Sequence, residues 1–145
     1  MFNVLFIKII LILIVGCASE SMEFTTAKTA LRSEKDLVRA ETWFKKALSV
    51  DSLNALVPYI YATEILKPQK RYREMSEMLM EAVKRNPLQK LETPFMWEDK
   101  PMLTMSDGSQ AYRDQEWTNV YNQGVDSFQQ ENTEKAIELL EIAII

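Results

Sequence analysis

The sequence predicts an all-α chain whose helices are paired into successive hairpins, stacked side by side as an α-α superhelix. Apolar residues recur at spacings of three and four over most of the chain, the period of one buried helical face. Ala, Leu, Glu, Lys and Met are abundant and Gly occurs only 3 times among 145 residues. That composition favours helices and disfavours a sheet-rich fold with many tight turns. A large-then-small pattern also returns at corresponding places in successive second helices. Ala40, Met75 and Ala136 open these helices, Phe44, Leu79 and Leu140 follow four residues on, and Ala47, Ala82 and Ala143 follow three later. Large side chains fill the space between helices, while the small ones let two backbones approach. A plain helical bundle with alternating large and small core residues is the other arrangement compatible with this pattern.

Taken in order, the chain opens with an apolar stretch from Met1 to Gly16, interrupted by Asn3 and Lys8. The run Ile9 to Val15 has the length of a signal-peptide hydrophobic region and is too short to span a bilayer. It ends in Ile14-Val15-Gly16-Cys17, followed by Ala18 and Ser19. Residues 17–23 read as a tether. The first pair has one face at Phe24, Ala27 and Leu31 and a second at Leu37, Ala40, Phe44, Ala47 and Leu48. Val50 to Asn54 supplies stop and N-cap chemistry. The second pair carries Val57, Ile60, Tyr61 and Ile65, with Pro58 tolerated only in a first turn. It returns through Tyr72, Met75, Leu79, Ala82 and Val83 to a stop at Asn86-Pro87.

From residue 88 to residue 110 helical periodicity fails, and Pro94, Pro101 and Gly108 read as breakers of an irregular insert rich in Met and aromatics. Its Phe95, Met96, Trp97, Met102, Leu103 and Met105 read first as a cover over a helix edge and second as an adaptable binding surface. A third pair follows over residues 111–145. Its first helix has a face at Trp117, Val120, Tyr121, Gly124 and Phe128, and its second has Ala136, Ile137, Leu140, Ala143 and Ile144. The apolar close at Ile142-Ala143-Ile144-Ile145 lacks the polar cap a terminal repeat needs, so the sequence is expected to be a piece of a longer repeat protein.

Two resemblances add to this reading. Ile14-Val15-Gly16-Cys17 resembles the lipobox of bacterial lipoproteins. The likeness implies cleavage before Cys17, acylation of its thiol and new amine, and anchoring to the cell envelope. Ala18 after the cysteine implies the outer membrane, facing the periplasm. The helical pairs resemble tetratricopeptide (TPR) repeats, most fully in the last unit, where Trp117 to Gly124 leads without a gap to Ala136-Ile137-Glu138-Leu139-Leu140 and Ala143. Gly124 sits at the family's close helix crossing. Residues 24–87 would form two such hairpins and residues 111–145 a third.

This family implies a concave surface lined by first-helix side chains. It maps to Tyr59, Thr63 and Leu66 in the second unit, and to Thr118, Tyr121, Val125, Phe128 and Gln129 in the third. Such a mixture suits an extended peptide or a partner helix, although the same residues could instead pack against a following hairpin. The family's carboxylate-gripping positions fall at Thr25, Thr29, Ile60, Thr118 and Asn122, without the required Lys, Asn and Arg set, which excludes that mode of binding.

No enzyme is expected. There is no His and a single Cys, which removes Cys–His and Ser–His nucleophile pairs and Cys-rich zinc sites. Glu77 with Glu81, and Glu138 with Glu141, read as solvated helix-surface acids. Asp107-Gly108-Ser109 lacks the ligand spacing of a calcium loop, and Gly is too sparse for a phosphate cradle. No metal or other cofactor is implied. A formal charge of −4 is a poor counter-charge for phosphate backbones and disfavours nucleic acid as a partner. The sequence therefore points to a lipid-anchored scaffold for an unidentified protein or peptide partner. A periplasmic solute- or glycan-binding accessory lipoprotein is the alternative.

Overall fold

A computed structural model describes residues 20–143. The expected leader, Cys17 and the last two residues lie outside that range. Helix α1 (Met22–Thr29) begins where the Ser21 hydroxyl accepts the Phe24 amide at 3.1 Å, so the final residues of the expected 17–23 tether are already helical. It runs on into a π-helical stretch, Ala30–Glu34, and ends at Lys35, whose left-handed backbone (φ 54°) reverses the chain. Asp36 caps α2 (Leu37–Val50) by accepting the Arg39 amide at 2.9 Å. Helix α3 (Leu56–Ile60) holds Pro58 in its first turn, where no intrahelical bond is lost, and continues as a π-helical stretch, Tyr61–Leu66. Helix α4 (Tyr72–Arg85) completes the second pair.

The expected burial register is present. Ala40, Met75, Ala136, Phe44, Leu79, Ala47, Ala82 and Ala143 are all buried, and Leu140 is half-buried. The first pair is closed by aromatics. Phe44 meets Phe24 edge-on with centroids 6.0 Å apart and stacks on Tyr61 of the second pair at 5.7 Å. This contact therefore joins neighbouring hairpins as well as the two helices of one hairpin. Arg85 does the same through polar contacts. Its guanidinium donates to the carbonyl oxygens of Leu48 (3.0 Å) and Asp51 (3.0 Å), at the end of α2 where carbonyls have no helical partner.

On the surface of the same junction, Glu41 gathers three donors. The Tyr61 hydroxyl lies at 2.9 Å, the Arg71 guanidinium at 2.9 Å and the Lys45 ammonium at 2.8 Å. Partial burial alone would raise the Glu41 carboxyl, but these hydrogen bonds outweigh it and hold the group down at about 2. The Tyr61 hydroxyl is pushed up to about 12, by burial and then by its bond to Glu41.

The segment read as an irregular insert is instead an antiparallel β-hairpin, followed by the first turns of a long helix. Strand β1 (Lys90–Trp97) pairs with β2 (Lys100–Thr104), with Trp97 opposite Lys100, Phe95 opposite Met102 and a bulge between Lys90 and Phe95. The fold is thus mostly helical but not all-α. Pro94 and Pro101 do bar a helix, yet both are tolerated here, because each strand of a two-stranded sheet keeps a free edge. The two-residue loop Glu98-Asp99 has both residues left-handed (φ 46° and 63°), as a type I′ turn requires.

Helix α5 (Met105–Gln129) starts upstream of the expected third pair. Thr104 and Asp107 form a reciprocal capping box that sets its first turn, and the carbonyls of Gln89 and Pro87 accept the free amides of Met105 (2.8 Å) and Ser106 (3.0 Å). Gly108 therefore lies inside a helix and breaks nothing. A Cβ there would come within 2.8 Å of both Leu91 Cδ1 and the Tyr59 hydroxyl, so the missing side chain is what lets β1 and α3 close onto α5. Helix α6 (Thr133–Ala143) folds back on the second half of α5. Gly124 sits at that crossing, where a Cβ would be 2.9 Å from Leu140 Cγ.

Candidate partner surface

The residues expected to line a concave face separate into two groups. In the second pair, Tyr59 is only 8% exposed and Leu66 is fully buried. Thr63 is half-buried, and its hydroxyl donates back to the Tyr59 carbonyl at 3.0 Å. These three do not form an open binding face, and at Tyr59 the first half of α5, with Leu91 of β1, is the reason. Strand β1 rests on α5 and reaches the N-terminal pairs through single side chains. Glu92 accepts from Lys28 (3.1 Å) and Arg32 (3.2 Å) of the first pair, and Arg32 also reaches Glu64 of the second at 2.6 Å. Leu91 is buried beside Gly108, and Phe95 packs on Tyr112 of α5, which in turn meets Tyr59 edge-on at 6.1 Å. Burial, together with the nearby Tyr112, raises the Tyr59 hydroxyl well above the ordinary tyrosine range.

The Met- and aromatic-rich segment therefore acts as a cover over helix surface, with Phe95 and Trp97 partly buried against the core. Met96, 64% exposed, points the other way, as strand alternation dictates.

In the third pair the expected surface is open. Thr118, Tyr121, Phe128 and Gln129 are exposed and Val125 is half-buried. Trp117, which was grouped with Val120 and Gly124 on a single face, belongs with the exposed residues. It is 52% exposed and stacks on Tyr121, with ring centroids 5.4 Å apart and planes 9° from parallel. Val120 and Gly124, on the adjoining flank of the same helix, are buried. Phe128 is 65% exposed and continues the row seven residues, or two turns, beyond Tyr121. The i, i+4 spacing of Trp117 and Tyr121 was readable in the sequence. What it could not show is which side of α5 would be taken by α6.

Between the covered and open surfaces, Glu116 is buried and engaged. Lys67 reaches it at 3.0 Å, bonds Gln115 at 3.0 Å and lies 4.6 Å over the Tyr112 ring. These contacts fasten the end of the second pair to the middle of α5.

Among the described residues, no cluster of three or more His, Cys, Asp or Glu could hold a metal ion, and no helix is long and apolar enough to cross a membrane. Asp107 serves as the capping carboxylate of α5, and Glu81 pairs with Arg85 at 2.9 Å. The described residues are mostly helical and form three consecutive helical hairpins, the last two joined through a β-hairpin. Compared with known protein families, curated proteins and solved structures, the sequence and structure show no significant match.

Proposed function

We propose that this chain is a lipid-anchored scaffold of TPR-like hairpins that binds a protein partner in the bacterial cell envelope, without catalysis and without nucleic acid. In this reading the hairpins form a short superhelical array, and acylated Cys17 holds it on the outer membrane, facing the periplasm. The observation that carries the binding role is the solvent-exposed aromatic row Trp117, Tyr121 and Phe128 on one helix. Large aromatic side chains held rigidly on a helix are the usual anchors of protein interfaces, since they bury much apolar surface for little lost side-chain freedom. The anchoring role rests on Cys17 closing an apolar leader. Two acyl chains give stable membrane binding where one gives only marginal retention. A glycan- or solute-binding role would use the insert's aromatics, and it has less support because Phe95 is turned onto Tyr112.

A photoreactive amino acid placed at Tyr121 in intact cells should crosslink to one or a few defined proteins, while the same probe at exposed Lys135 should not. Cys17→Ser should move the protein from the membrane to the soluble fraction. Absence of protein crosslinks from Tyr121 would remove the scaffold reading, and full membrane retention of the serine variant would remove the acyl anchor.

A further inference from the structure

A second feature lies away from the aromatic row, in the groove between α4 and α5. Two cavities sit along it. One, about 160 Å³, has Leu79, Met80 and Val83 on one wall and Ser109, Gln110 and Arg113 on the other. The second, about 110 Å³, shares Gln110 and Arg113 with the first and is walled by Met75, Val120, Trp117 and, from α6, Ala143, with Arg73 and Asp114 also lining it. Each is well below the ~300–1,000 Å³ of a small-molecule site and is of a size for a single side chain.

The polar groups of this groove are unequally matched. The Ser109 hydroxyl is buried (1% exposed) and has no hydrogen-bond partner among the described residues. That oxygen is sealed within the helix interface, out of reach of a ligand lying in the groove. The acids of the groove are already engaged. Asp114 accepts from Gln110 at 2.7 Å, and Glu116 accepts from Asn119 at 3.3 Å besides its pairing with Lys67. Arg113, half-buried between the two cavities, forms no ion pair among the described residues, and neither does Arg73. The groove thus offers unmatched donors set between two apolar recesses, in a protein that is acidic as a whole.

We infer that the α4–α5 groove binds an extended segment of a partner protein that carries an Asp or Glu between apolar residues, resting on the scaffold reading above. The carboxylate pairs with Arg113, while flanking apolar side chains enter the recesses beside Leu79 and Met75. From Ser109 to Trp117 the helix rises about 12 Å, a distance about four extended residues cover at ~3.3 Å each. Arginine suits the role because its planar fork matches a carboxylate.

The test uses the full-length chain in detergent micelles, panned against a phage library displaying fully randomised hexapeptides. Selected peptides should carry an acid flanked by apolar residues. Glutamine in place of that acid should weaken binding at least ~10-fold, and bound peptide should shift the Ser109 and Arg113 amide resonances. Arg113→Gln should erase the preference for acid over amide without lowering the melting temperature. Enrichment without acids, a preference that survives Arg113→Gln, resonance shifts confined elsewhere, or no enrichment at all would each overturn the assignment. Tyr121 crosslinks that persist in such a case would leave the scaffold reading standing, and their loss as well would end both.

Discussion

Arg85→Met isolates one polar junction and keeps most of the packing. The Arg85 side chain is 8% exposed, its stem is enclosed, and its guanidinium bonds the carbonyls of Leu48 and Asp51 at 3.0 Å each, with Asn54 more distant at 3.4 Å. Methionine preserves the buried stem and removes the fork. A hydrogen bond to a charged donor contributes about 1.5–3 kcal/mol. Two are well formed here, and the turn carbonyls regain some water once the fork is gone, so the net loss should be about 2–4 kcal/mol. The Glu81 pair adds little, because its carboxylate is a third exposed. Against a total stability of ~5–15 kcal/mol for a domain, this is a large fraction. In urea titrations followed by circular dichroism, the midpoint should fall by about 1–2 M with an unchanged slope, for a slope of about 2 kcal/mol/M. Arg85→Lys should lie between, since an ammonium cannot reach both carbonyls in the same plane. A methionine variant within about 0.5 kcal/mol of the parent would show that the first two hairpins are not fastened at this point.

Other consequences of the geometry can be checked similarly. Gly124→Ala gains up to ~1 kcal/mol of helix propensity, but its methyl would sit 2.9 Å from Leu140 Cγ, and overpacking costs about 1–3 kcal/mol. Net destabilisation of about 1 kcal/mol is expected, and it should shrink when Leu140→Ala is added, measured by the same titrations. Replacing Glu98-Asp99 by Asn-Gly should raise stability by about 1 kcal/mol, because both positions are left-handed and the present residues adopt that conformation at a cost. Glu41 is held at about 2 in the folded chain against an ordinary 4.5. Its contribution is therefore full above pH 4.5 and is lost as pH falls toward 2, so Glu41→Gln should flatten the acid limb of a melting-temperature profile over that window.

The helices were legible because burial imposes a period. Phe44, Leu79, Ala47 and Ala82 repeat at helical spacing, and the core contains them all. The hairpin was not legible, for a different reason in each part. Pro94 and Pro101 are negative signals that exclude a helix without indicating a strand, and the bulge between Lys90 and Phe95 breaks the alternation of inward and outward residues. The turn is formed by Glu98-Asp99, without the Asn-Gly or Asp-Gly that usually marks a type I′ reversal. Gly108 misled in the opposite sense. Read alone it is a helix breaker, yet the capping box at Thr104 and Asp107 encloses it within α5, where its lack of a side chain serves packing with Leu91 and Tyr59.

These local features bear on the site, since the early start of α5 brings Gly108 and Tyr112, with Leu91 of β1, against Tyr59 on the surface expected to form a groove. Tyr59, Thr63 and Leu66 have the right spacing for a first-helix face, but spacing does not reveal whether another segment returns to cover it. Glu92 shows the cover to be fitted by charge as well as by apolar contact, since Lys28 and Arg32 converge on it from α1 and its π-helical continuation. The ion pairs of Glu92 are to the first hairpin, and the surfaces that α5 leaves for a partner include the aromatic row and the recesses beside α4. Trp117 belongs to both, stacking on Tyr121 outside and walling the smaller recess inside. A partner that packs against Trp117 from the row would therefore bring its adjoining residues to the mouth of the recess that Arg113 flanks. That shared residue is why the two proposals address one contiguous surface and can still be separated by replacing Arg113, which takes no part in the row.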